Sequence, residues 1–164
     1  MMENEGRILL AIDPGNVVSA YVFLDEANYK ILDYGYLGNE EFMRKVVKSK
    51  YYDDMTVEMI ASYGMSVGES VFDTCVWIGR FLEAGEQLGI KTSRVYRKDV
   101  KMNLCQSMRA KDSNIRQALI DRFGGQGTAK KKGPLFGITK DKLAALAVGV
   151  TWVDKHNNSP TSVL

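Results

Sequence analysis

The chain has 164 residues, 45% of them apolar and 26% charged, with a net charge of only +2. That is enough for one domain with a real core. No stretch approaches the ~18–20 apolar residues of a membrane span, and the start, Met1-Met2-Glu3-Asn4-Glu5, lacks the basic and apolar regions of a secretory signal. Cys75 and Cys105 stand far apart with no CxxC pattern, which argues against a disulfide framework or a zinc site and for reduced thiols in a cytoplasmic protein.

The elements follow in chain order. Residues 7–12, Arg-Ile-Leu-Leu-Ala-Ile, predict a strand buried on both faces, because five apolar residues run unbroken into Asp13-Pro14-Gly15. Val17 to Leu24 and Tyr29 to Tyr36 predict two more strands, joined by the turn Asp25-Glu26-Ala27-Asn28 as an antiparallel meander. Asn39 is placed to cap a helix reaching about Ser49, with Phe42, Val46 and Val47 inward. Met55 to Ala61 predicts a fourth strand, which after a helical crossover runs parallel to the first.

A long helix follows over 66–88, with Val67, Val71, Cys75, Ile78 and Leu82 at helical spacing and Gly89 ending it. A fifth strand covers 90–96, and Met102 to Met108 suggests a short helix. Asp112 or Ser113 caps the next helix, which buries Ile115, Ala118, Leu119 and Phe123 and stops at Gly124-Gly125. A loop carries Lys130-Lys131-Lys132. The last helix starts near Thr139 or Lys140 and buries Leu143, Leu146, Ala147 and Val150. The fold class is therefore α/β: a mixed five-stranded sheet, three antiparallel strands and then parallel βαβ units, with helices on both faces. One domain is expected over 1–155, with a flexible tail over 156–164.

Charge is unevenly spread. Residues 1–90 contain 7 Lys/Arg and 15 Asp/Glu, a balance of −8, whereas residues 91–142 contain 14 and 4, a balance of +10. A basic half of this size suits a polyanion, although two halves that neutralise one another, or a plainly solvated surface, would look the same.

Three acids stand out. Asp13 ends the first strand, Glu58 lies inside the apolar run of the fourth, and Asp141 opens the last helix. Each has a plain alternative: an Asx turn before Pro-Gly, an ordinary salt bridge, and a first-turn acid facing the helix dipole. Together they put two carboxylates at the carboxyl ends of adjacent strands, where a ligand crevice forms, and a third at the start of the last helix. Converging carboxylates repel unless a cation such as Mg2+ intervenes.

At this point the sequence resembles a known family. Ile12-Asp13-Pro14-Gly15 is similar to the first-strand motif of RuvC-like Holliday junction resolvases, within the RNase H-like superfamily. Val57-Glu58 resembles their fourth-strand glutamate, and Asp141 to Thr151 resembles their final helix. The run Ala110 to Ile115 also fits, and small phage or prophage versions look most alike. The resemblance spans residues 7–153.

It implies a Mg2+-dependent endodeoxyribonuclease, with Mn2+ as a substitute, that uses two ions and cuts branched DNA as a homodimer. Asp13, Glu58 and Asp141 would be its catalytic and metal-binding carboxylates, Asp13 bridging. The final helix departs from the pattern at Ala144, where the family has a second acid; Asp112 is a substitute or simply a cap. Ala61 stands where the family has a stacking Phe, so Tyr63 or Met65 would take that part. Arg97, Lys98, Lys101, Arg109, Lys111 and Lys130–Lys132 would hold flanking phosphates, and Lys140 or Lys142 the scissile one, against a plain reading as solvated lysines. Three other readings stay open: a related nuclease on RNA or flap substrates, a non-catalytic nucleic-acid-binding protein, and an actin-like ATPase fragment. The last needs a second domain that 164 residues do not hold.

Overall fold

The computed structural model describes residues 6–158. Five strands form one sheet in the order β3-β2-β1-β4-β5. They are β1 (Ile8–Asp13), β2 (Val18–Asp25), β3 (Ile31–Gly38), β4 (Asp54–Met59) and β5 (Lys91–Tyr96). The pairs β1–β2 and β2–β3 are antiparallel, while β4 pairs parallel to β1 and β5 parallel to β4. This is the mixed sheet that the sequence predicts.

Helices cover both faces. On one, α1 (Asn39–Lys45) and α2 (Glu69–Gln87) close over Leu10, Ile12, Met55 and Val57, with Phe42, Ile78 and Phe81 completing a dry layer. On the other, α3 (Arg97–Cys105), α4 (Asp112–Phe123) and α5 (Asp141–Asn158) cover Leu9, Ala11, Val22 and Leu24. Alternation along β1 explains the split: even-numbered residues face α1 and α2, odd-numbered residues face α5.

α5 is enclosed on nearly every side, with Ala145, Leu146, Ala147, Val148, Gly149 and Val150 all buried. It is wedged between the sheet and α3 and α4. Small residues make that possible: a Cβ on Gly149 would meet the Ala11 Cβ at 3.0 Å.

Four local expectations change. The helix from Asn39 stops at Lys45, and a 3-10 turn, Val47–Ser49, leads to Lys50 with φ +61°. α2 buries Thr74, Ile78, Phe81 and Gly85, so only Ile78 of the expected stripe is fully inside. α3 begins five residues earlier than expected, at Arg97, because the Asp99 carboxylate accepts a hydrogen bond from the Tyr96 N–H at 3.2 Å and secures the first turn. α5 continues through His156 to Asn158, so the expected tail starts as helix, and residues 159–164 lie outside the described residues.

The lysine loop is folded. Gly127 and Lys132 pair as a bridge, Thr128 N–H donates to the Lys131 carbonyl at 2.9 Å, and Leu135 and Ile138 are buried beneath. Cys75 and Cys105 are free thiols. Among the described residues no helix is long and apolar enough to cross a membrane.

Candidate active site

Register brings the first two acids together. β1 and β4 align Leu9 with Asp54 and, three steps on, Ile12 with Val57. One step further along the same register stand Asp13 and Glu58, close enough for the charge of Glu58 to act on Asp13. Both belong to the odd-numbered β1 face and its β4 equivalent, so both point toward the α5 side. β5 adds a third position in line: Val95 pairs with Glu58, and Arg97, two residues further, opens α3.

Neither plain alternative for these acids holds. Among the described residues the Gly15 N–H goes to Ser19 Oγ, where an Asx turn would direct it to Asp13, and Glu58 makes no ion pair within 4 Å. Glu58 Oε2 is buried without a hydrogen-bond partner. Burial first, then the negative fields of Glu58 and Asp141, push the Asp13 carboxyl up to about 8, and Arg97 opposes this. Burial likewise raises Glu58; Arg97 works against the shift and Asp112 adds to it.

The turn after Asp13 is fixed from below. Asn39 is 3% exposed and lies inside α1, after the cap position, which is Gly38. Its Nδ2 donates to the Gly15 carbonyl at 2.8 Å, and its Oδ1 accepts from Ser19 Oγ at 2.6 Å. Ser19 Oγ in turn accepts from the Gly15 N–H at 3.2 Å. Both backbone groups of Gly15 are thus held by a buried relay. The turn also excludes a side chain, since a Cβ on Gly15 would meet the Val18 carbonyl oxygen at 2.2 Å.

Asp141 is exposed at the start of α5 and lines a cavity of about 580 Å³ with Arg97, Asp112, Arg116, Gln126 and Lys140. Leu119, Leu143 and Ala144 form part of its apolar floor. Asp112 is not a cap: Lys111 holds the cap position, and the Asp112 carboxylate accepts from the Arg97 guanidinium. A smaller cavity of about 270 Å³ joins Tyr63, Arg97, Lys98, Lys101 and Met108. Arg97 lines both.

The remaining basic residues spread outward. Arg109 and Lys111 are exposed on the approach to α4, and Lys130–Lys132 lie on the folded loop. Lys132 Nζ sits over the Phe136 ring at 5.2 Å, and Lys142 Nζ sits over the Tyr34 ring at 5.3 Å, so Lys142 is turned toward β3. Of the two lysines flanking Asp141, only Lys140 borders the cavity. Sequence reasoning missed Arg116, one turn after Asp112 on the same helix face, and the Asn39–Ser19 relay. Helical spacing carried a signal for the first.

No three of the described Asp, Glu, His and Cys side chains are gathered into a ready-made cation site. Asp13 and Glu58 still fit a hard divalent ion in chemistry: the donors are carboxylate oxygens, and one of them is buried without a partner.

Strand order, mixed pairing and helical layers define an RNase H-like α/β fold. Among solved structures, Thermus thermophilus RuvC is similar, with a TM-score of 0.73 at 13% identity over 92% of this chain and 95% of that one. So is T. thermophilus RuvC in complex with Holliday junction substrate, with a TM-score of 0.68 at 15% identity over 88% and 92% of the two chains. No protein-family profile and no curated protein matches the sequence.

Proposed function

We propose that the protein is a divalent-metal-dependent endonuclease that hydrolyses phosphodiesters in branched DNA, in the manner of a Holliday junction resolvase. The observation that carries this reading is the Asp13–Glu58 pair: two carboxylates on adjacent parallel strands, half-buried, unpaired and raised by burial. The likeness to RuvC structures, one of them in complex with Holliday junction substrate, supports the substrate class.

Asp13 and Glu58 would hold the cations, Mg2+ or Mn2+, with Asp141 reaching in from α5. Two such ions supply a nucleophilic water and neutralise charge on the attacked phosphate. The chain's own residues do the rest. The Gly15–Ser19–Asn39 relay keeps Asp13 still. Lys140 borders the cavity and meets the phosphate there. Tyr63, Lys98 and Lys101 hold the strand on the other side of Arg97, with Tyr63 exposed for base stacking. Arg109, Lys111 and Lys130–Lys132 extend the electrostatic track, and Lys142 contributes from the β3 side.

A homodimer completes the proposal, because a four-way junction presents two symmetric cuts. Phe72 and Val76, one turn apart on α2 and about 60% exposed, offer an apolar stripe for the second copy. The substrate test is a panel of four-way junction, flap duplex and RNA–DNA hybrid with Mg2+ or Mn2+. Preferential cutting of the junction is expected. Preference for flap or hybrid would reassign the substrate, and binding without cutting would make the protein a non-catalytic binder.

A further inference from the structure

Among the described residues, one cation of the chain itself, Arg97, acts by its field on both acids at the carboxyl ends of β1 and β4. Arg97 follows Tyr96 at the end of β5, and two residues back Val95 pairs with Glu58. Alternation along β5 points Val95 to the same side as Glu58 and Asp13, and Arg97 follows two residues on as the first residue of α3. Asp112, the first residue of α4, accepts a hydrogen bond from the Arg97 guanidinium. The Arg97 side chain is 28% exposed, against 89% for Asp112, so the arginine is the inner member of the pair. It also separates the cavity of Asp141 and Lys140 from that of Tyr63, Lys98 and Lys101.

We propose that Arg97 is the built-in counter-charge of the Asp13–Glu58 pair, anchored by Asp112, and that it competes with a divalent cation for that pair before turning to a phosphate of the substrate strand. The inference rests on the nuclease reading above. Two carboxylates on adjacent strands cost a folded protein stability unless a positive charge lies near. Among the described residues Arg97 is the cation whose field favours the charged form of both Asp13 and Glu58, and the field of Asp112 opposes it. A guanidinium is always charged and keeps five donors. It can serve the acids while they lack a metal and a phosphate once they have one. Its place between the two cavities puts it on the path of a strand crossing from one to the other. Asp112 limits its travel, because the ion pair tethers the guanidinium to the rim.

The test is Mn2+ binding to the full chain after removal of divalent ions, read by titration calorimetry and by electron paramagnetic resonance of free Mn2+. Arg97→Ala should bind Mn2+ about tenfold more tightly than wild type, while Arg97→Lys, which keeps the charge, stays near wild type. In an Asp13→Asn background, Arg97→Ala should lose most of that gain. Junction cleavage by Arg97→Ala should need more substrate for half-maximal rate at saturating Mn2+. Arg97→Gln, checked by its melting curve, repeats the binding measurement if the alanine variant folds poorly. Unchanged or weaker Mn2+ binding in the neutral variants, beside a wild type that cuts junctions, overturns the role of Arg97 alone. Tighter binding in those variants, beside a wild type that never cuts, overturns the nuclease reading alone.

Discussion

At Asn39 a single buried amide decides the shape of the turn beside Asp13. Its Nδ2 satisfies the Gly15 carbonyl, and its Oδ1 satisfies the Ser19 hydroxyl. Asn39→Ala would leave the Gly15 carbonyl without its donor and the Ser19 hydroxyl without its acceptor, at about 1–3 kcal/mol. Urea unfolding should show a lower midpoint with an unchanged slope; an unchanged midpoint would remove the relay from the account. Asp13 itself gives a pH signature. Its folded pKa of about 8 lies above its unfolded value of about 3.9. Between the two the folded protein keeps a proton that the unfolded chain releases, so this group's contribution to stability falls as pH rises through that window. Glu58 acts in the same direction. Asp154, held by Arg122, Tyr29 and Asn103, acts in the opposite one: its lowered pKa gives stability that is lost as pH falls. Without divalent ions, Asp13→Asn should therefore melt about 2–6 °C above wild type at pH 8, with the gap closing near pH 5. Equal melting at both values contradicts the burial of this charge.

At the scale of elements, the site depends on α5 lying close against β1. Gly149 sets that distance, since even a Cβ would press on Ala11 at 3.0 Å. Gly149→Leu should push the helix outward and cost about 1–3 kcal/mol in denaturant unfolding, with cleavage lost along with it. An unchanged midpoint would mean that α5 has slack against the sheet. Element order and the β1–β4 adjacency were legible because the apolar runs and helical spacings were strong, and so was the meeting of Asp13 with Glu58. The start of α3 was not, because Arg97-Lys98-Asp99 carries no apolar signal and its cap is a backbone N–H bonding forward to Asp99. Asn39 and Asp112 looked like caps by residue type. Tertiary partners, Gly15 and Ser19 for one and Arg97 for the other, took both side chains instead. The 3-10 turn after α1 ends where Lys50 adopts a left-handed backbone, which nothing in a lysine announces.

Over the whole molecule, the acidic first half builds the two carboxylate strands, and the basic second half supplies the cations of the neighbouring cavity, Arg97, Arg116 and Lys140. Substrate affinity should then divide by distance from Asp13. Replacing Lys130, Lys131 and Lys132 together by alanine should weaken all DNA substrates alike and reduce the salt-dependence slope by up to about 3. An unchanged slope would place the folded loop outside the DNA path. The most direct test of the central claim pairs wild type with Asp13→Asn on one synthetic four-way junction, measuring binding and Mg2+-dependent cleavage side by side. Both should bind within about threefold, and only wild type should cut. Cleavage by Asp13→Asn at the wild-type rate, or binding by wild type with no cleavage in Mg2+ or Mn2+, would contradict that claim.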